Sequence, residues 1–183
     1  MNRAQRLAIL TLLDKEMLAN KSWCGETHLQ KAIFVLQELL GVKVGYDFIL
    51  YKHGPFSFEV RDDLSIMRAE GLLDLVVRHL EYGPSYLPTE FADKFIQRFP
   101  RTVSTHKAQV KFAAKSVGNK NVNELERIAT ALFIRKNSKL KTIEKRVKEL
   151  VKLKPHISES DARTATREVD LLTKQSRQLV FQN

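Results

Sequence analysis

The stretch YDFILYKHGPFSFEVRDDLSIMRAEGLL, from Tyr46 to Leu73, decides the fold of this chain. Its first apolar run, Phe48 to Tyr51, predicts a short strand that Gly54 and Pro55 stop. Ser57 then stands where a hydroxyl caps a helix, and Glu59 sits in the first turn, where the helix dipole favours a carboxylate. Val60, Leu64 and Met67 recur at helical spacing as an inward stripe, and Gly71 closes the helix. A strand that turns a tight His-Gly-Pro corner and launches a helix with charges outside and apolar anchors inside presents that helix to a partner. It does not read as a catalytic pocket.

Two helices precede this stretch. Leu7, Leu10, Leu13 and Met17 predict an amphipathic helix over residues 3–19. A second starts at Thr27, with Gln30 completing a capping box. It carries Leu29, Ile33, Phe34, Leu36, Leu39 and Leu40, apolar on more than one face, which predicts burial. After Gly71, residues 72–80 and 85–87 predict two strands joined at Tyr82-Gly83-Pro84, a hairpin. Thr89 caps a further helix carrying Phe91, Phe95 and Phe99, and Pro100 ends it. Three helices followed by a hairpin is the order of a winged helix, with the third helix as recognition element and the hairpin as wing. The gap of roughly sixteen residues between helices two and three exceeds the three or four of a helix-turn-helix.

Beyond Pro100 the pattern is helical. A helix over 102–117 ends at Gly118, and Leu125, Ile128, Ala129, Leu132 and Phe133 make one stripe. Ile143, Val147, Leu150 and Val151 make another, broken by Pro155. Ser158 or Ser160 caps a last helix bearing Ala162, Ala165, Val169, Leu172 and Leu179. The expected class is mainly α (α+β): a winged-helix-like module over 1–100 and a basic helical extension over 101–183 packed on it.

Composition narrows the functions. At 43% hydrophobic and 28% charged the chain is globular. The lone Cys24 forms no internal disulfide and no thiolate zinc site. The apolar positions of the first twenty residues are interrupted by charge, unlike a signal peptide, and no run is long enough to cross a bilayer. A cytoplasmic, non-membrane protein is expected. The net charge of +10 is lopsided: residues 1–100 hold 12 Lys and Arg against 13 Asp and Glu, whereas 101–183 hold 19 against 8. A basic half suits an anionic partner, most commonly nucleic acid. A solvated helical surface explains the same charges.

Three segments carry a resemblance. Thr27-His-Leu-Gln-Lys-Ala-Ile-Phe-Val-Leu-Gln37, Tyr51-Lys-His-Gly-Pro-Phe-Ser57 and Glu70-Gly-Leu-Leu73 resemble the YwgA-like and Panacea-type (SocA-like antitoxin) families. Leu153-Lys-Pro-His156 is also similar to YwgA-like sequences. The likeness covers about residues 5–90. It implies a non-enzymatic module found in bacterial antitoxins, prophages and defence loci; a similar module forms the toxin-neutralising half of antitoxins paired with DNA-modifying ADP-ribosyltransferase toxins. The macrodomain of antitoxins paired with DNA-modifying ADP-ribosyltransferases has no counterpart here.

Cys24 and His28 are read as a packed thiol and a surface imidazole. Asp62 and Asp63 point to different sides of a helix, a poor metal pair read as solvated charges. The five histidines show no metal-ligand spacing, and no cofactor is expected. His53, at the corner, is read as making a structural hydrogen bond. Arg101 and His106 match the Arg-x4-His pattern of HEPN-type ribonucleases, a spacing that 13 Arg and 5 His make common by chance.

Two surfaces remain. The corner and third helix offer His53, Ser57, Arg61, Ser65 and Arg68 to a protein partner, a toxin or defence component. The run Arg135, Lys136, Lys139, Lys141, Lys145, Arg146, Lys148 and Lys152 offers charge that tracks phosphates. Aromatics are not interleaved there, which argues against stacking on single-stranded bases. Glu59, Asp62, Asp63 and Glu70 repel a phosphate backbone at the third helix, which favours protein over DNA on that surface.

Overall fold

A computed structural model describes residues 1–180. They form eight helices: α1 (Arg3–Ala19), α2 (Glu26–Glu38), α3 (Phe58–Ala69), α4 (Phe91–Gln97), α5 (Pro100–Val117), α6 (Val122–Asn137), α7 (Ile143–Leu153) and α8 (Glu159–Val180). Two antiparallel hairpins interrupt them: β1 (Ile49–Tyr51) with β2 (Gly54–Phe56), and β3 (Leu73–Val76) with β4 (Ser85–Pro88). The protein is mainly helical, and no described helix is long and apolar enough to cross a membrane.

α2 lies at the centre. Every residue from His28 to Leu36 is buried, as its two-sided apolar pattern demands. α1, α5 and α6 pack around it, and α8 covers α6 and α7. One apolar core joins Leu13 and Met17 of α1, Phe34 of α2, Val110 of α5, Leu132 of α6 and Val169 of α8, with no break at residue 100. Pro100 does more than end α4. It occupies the first turn of α5, where a missing N–H costs nothing.

Several local readings need correction. Gly54 and Pro55 do not stop the first strand; they belong to β2, with Leu50 opposite Pro55 and Tyr51 opposite Gly54. A two-stranded ribbon leaves each strand a free edge, where a residue without an N–H is tolerated. Gly54 takes φ +85°, and a Cβ there would lie 3.1 Å from Thr130 Oγ1, so the hairpin presses directly on α6. The Thr27–Gln30 capping box is absent. α2 begins at Glu26 after Gly25, without a side-chain cap. The Gln30 amide instead donates to the Ser57 carbonyl (2.9 Å) and accepts from the Ser57 N–H (3.0 Å), clamping the start of α3 to α2. The strand expected over 72–80 pairs only over 73–76.

Buried ions tie the layers together. Asp63 faces inward from α3 and is 2% exposed. It accepts from Arg3 (2.9 Å), Arg6 (2.8 Å) and the Tyr46 hydroxyl (2.7 Å). The reading of Asp63 as a solvated charge is thus overturned. Glu126 of α6 pairs with Lys154 (3.1 Å), whose ammonium also donates to the Tyr51 carbonyl (2.7 Å). The residues after α7 therefore hold the first hairpin in place.

Candidate functional site

The site grows from Ser57. Its hydroxyl accepts from the Val60 N–H and caps α3 (3.4 Å), as expected. That duty, together with the Gln30 clamp, buries it to 1% exposure. Ser57 is removed from the outward set for that reason. Arg61, Ser65 and Arg68 are exposed, at i, i+4 and i+7 along one face of α3. His53 is exposed at the hairpin tip. Its Nδ1 stands 4.0 Å from Glu126, beyond hydrogen-bond reach, so the structural bond expected of it is absent.

Sequence reasoning missed what lies beside Arg61. In β1 and β2, Ile49 stands opposite Phe56, which puts Ile49, Tyr51 and Phe56 on one face of the ribbon. That face is turned outward. Ile49, Tyr51 and Phe58 are each about half exposed. The Tyr51 and Phe56 rings lie 5.7 Å apart and those of Phe56 and Phe58 5.2 Å apart, edge to face. The Arg61 guanidinium sits 5.1 Å from the centre of the Phe58 ring and 5.7 Å from that of Phe56. The strand alternation that puts Ile49 and Tyr51 together was legible, but which face meets the core was not.

The second hairpin is apolar as well. Leu75, Val76, Val77, Leu80 and Tyr82 are exposed along it. Arg78 is held back, its guanidinium 4.7 Å from the Trp23 ring and donating to the Trp23 carbonyl (2.9 Å). The two exposed apolar surfaces thus flank the outward arginines of α3 in the chain.

The basic run divides into paired and unpaired charges. Arg146 is buried and bound two-pronged to Asp170, both bonds 2.7 Å. It leaves the phosphate-tracking set, because it sits between Ile143 and Leu150 on the inward stripe of α7. Its hydrogen bonds to Asp170 hold the Asp170 carboxyl below the usual range against the opposing effect of burial. Arg135 pairs with the same Asp170, and Lys136 reaches Glu38 at 3.5 Å. Lys152 lies 4.0 Å from Glu149. Lys139, Lys141, Lys145 and Lys148 are exposed and enter no ion pair among the described residues. A further exposed row, Lys107, Lys111 and Lys115 on α5, went unremarked in the sequence although its spacing of four was visible.

Arg101 and His106 both lie on α5 and border a shallow hollow with Gln5 and Lys43. Five residues on one helix set their side chains about 140° apart around its axis. Burial lowers the pKa of His106. Cys24 is buried, as expected of a packed thiol, and burial and Asp14 push its pKa up, far from a reactive thiolate. His28 is buried rather than a surface imidazole. Among the described residues, no His, Cys, Asp or Glu cluster is arranged to hold a metal ion. No protein-family model matches the chain, and no curated protein sequence matches it.

Proposed function

We propose that this chain is a non-catalytic bacterial interaction protein of the antitoxin or defence-regulator type, which docks on a protein partner and occludes its working surface. The observation that carries this reading is the exposed Ile49–Tyr51–Phe56–Phe58 cluster with Arg61 laid over it. Exposed aromatics and arginine, held rigidly in place, are the residue types on which protein interfaces concentrate their binding energy. The Gln30 clamp and the Asp63 cluster fix α3 before any partner arrives, so little ordering entropy is lost on docking. In this reading α1, α2, α3 and the β3–β4 hairpin act as a winged-helix-like unit, α3 and the hairpin being the contact elements. The Leu29-Gln30-Lys31 helix and the His53-Gly54-Pro55 corner support the YwgA-like or Panacea-type assignment.

Co-purification from source cells tests it. The expected result is a discrete protein retained by the wild type and by a Lys145→Glu, Lys148→Glu variant. A Tyr51→Ser, Phe58→Ser, Arg61→Glu variant of unchanged stability loses it. Retention by that variant removes the docking surface from the reading.

A second reading, a DNA-binding regulator held by phosphate contacts, is favoured by Lys139, Lys141, Lys145 and Lys148, which are exposed and enter no ion pair among the described residues although Glu144 and Glu149 lie beside them in the chain. It expects binding to random duplex DNA that falls linearly with salt on logarithmic axes, with a slope matching several phosphates.

A further inference from the structure

Among the described helices, α5 alone has no acidic residue. The 18 residues from Pro100 to Val117 hold Arg101, Lys107, Lys111 and Lys115 and no Asp or Glu. At 100° per residue, these four cations and Ser104 fall within about 120° of the helix circumference. All five are exposed, and Arg101 and Lys115 stand about 21 Å apart along the axis. The other side of the helix, Val110, Ala113, Ala114 and Val117, is buried where α5 packs on α1 and α2. That packing turns the cations outward.

The charge of this row is not spent inside the protein. None of the four cations enters an ion pair among the described residues, and two acids on neighbouring elements are already paired. Asp93 of α4 is bound to Lys15, and Glu168 of α8, which shares a groove with Lys115, is bound to Lys120 (2.8 Å). The α7 row differs, since Glu144 and Glu149 are interleaved with its lysines.

A second observation extends the row. Arg101 also borders the hollow between α5, α1 and the turn after α2, where Lys43 adds a cation and Gln5, Thr102 and Thr105 add neutral hydrogen-bonding groups. No Asp or Glu lines this hollow, and at about 480 Å³ it admits a phosphate group.

What the face lacks selects its occupant. α5 has no large apolar or aromatic side chain among its exposed residues. It therefore has nothing to bury in a lipid layer and no ring to stack on the bases of a single strand. An acid-free cationic row is complementary to closely spaced phosphates, and duplex nucleic acid carries one charge per about 1.7 Å of its axis.

We infer that the Arg101–Lys115 face of α5 binds the phosphate backbone of duplex nucleic acid, one phosphate seating in the hollow between Lys43 and Arg101. Lysines on phosphates carry no sequence information, so binding is independent of base sequence. The inference does not depend on the protein-docking surface, which lies on α3 and the first hairpin. It places the phosphate contacts on α5, where the second reading places them on α7.

Fluorescence anisotropy with random-sequence duplex DNA, between about 50 and 200 mM salt, separates the two helices. Two variants lose the same charge: Lys107→Gln, Lys111→Gln, Lys115→Gln on α5, and Lys141→Gln, Lys145→Gln, Lys148→Gln on and before α7. All six side chains are exposed, and both variants are expected to keep the wild-type unfolding midpoint. The wild type is expected to bind with a log–log salt slope of about −4, the value for four to five phosphates. The α5 variant weakens binding at least tenfold at the lowest salt and flattens the slope by about 3, whereas the α7 variant weakens it less than threefold. Sedimentation with phosphatidylcholine–phosphatidylserine vesicles is expected to show no binding under the same conditions. Absence of DNA binding by the wild type at the lowest salt overturns the inference. So does an α7 variant that loses as much as the α5 variant, or vesicle binding tighter than DNA binding.

Discussion

Two acids are buried in the N-terminal half, and they are treated in opposite ways. Asp63, beneath the outward face of α3, is surrounded by Arg3, Arg6 and the Tyr46 hydroxyl. Asp14 of α1 is 1% exposed, and neither of its carboxylate oxygens has a hydrogen-bond partner. Burial pushes its pKa up to about 7, although the Cys24 thiol and Arg78 pull the other way. The first acid locks a surface in place. The second leaves an unrelieved cost in the core beside Cys24. Fixed geometry suits a preformed docking face, whereas an uncompensated buried acid makes stability depend on pH.

Removing the first acid has the largest expected effect. Asp63→Ala leaves two arginines and a hydroxyl without their acceptor, and a loss of about 3–5 kcal/mol is expected. Urea unfolding measures it as a lowered midpoint. An unchanged midpoint breaks the claim that α3 is locked from beneath.

The second acid has the opposite sign. Asp14 has a folded pKa near 7 and an unfolded one near ~3.9. The folded protein therefore keeps a proton that the unfolded chain releases, and stability falls as pH rises through that window. Asp14→Leu is expected to stabilise the protein by about 1–4 kcal/mol at pH 8, a gain that shrinks as pH falls from 7 towards 4. Thermal unfolding of both proteins across that range checks it. A gain independent of pH shows that packing alone is responsible.

Much of this contrast was open to sequence reasoning, and some was not. Asp63 lies three residues after Val60 and four before Met67, on the inward stripe, so its burial was legible. Arg146 sits likewise between Ile143 and Leu150. Both were set outward because charge was read before position. Ser57 was correctly seen as a cap, but a cap that is also clamped by Gln30 has no surface left to offer. That clamp joins residues 27 apart, and no local pattern encodes it. The first hairpin was hidden because Pro55 reads as a breaker when its strand partner is unknown.

Asp170 gives a smaller effect that marks the limit of the second surface. Its carboxyl lies below the usual range because Arg146 donates to it. The stabilisation is present above the unfolded value near ~3.9 and is lost as pH falls through the folded value. Arg146→Met is expected to weaken that acid-side dependence, Arg135 keeping part of it, seen as a shallower slope of stability against pH below about 4. Charge reversal at Lys145 and Lys148 is expected to leave stability within about 0.5 kcal/mol and to weaken only whatever duplex DNA binding exists.

The docking face itself is tested most directly by photocrosslinking in source cells, with a benzophenone side chain placed either at Ser65 on α3 or at Lys148 on α7. The expected result is a discrete protein adduct at position 65, lost when Tyr51→Ser and Arg61→Glu are added, with no matching protein adduct at 148. An adduct at 148 with none at 65, or one at 65 that survives those substitutions, contradicts the account.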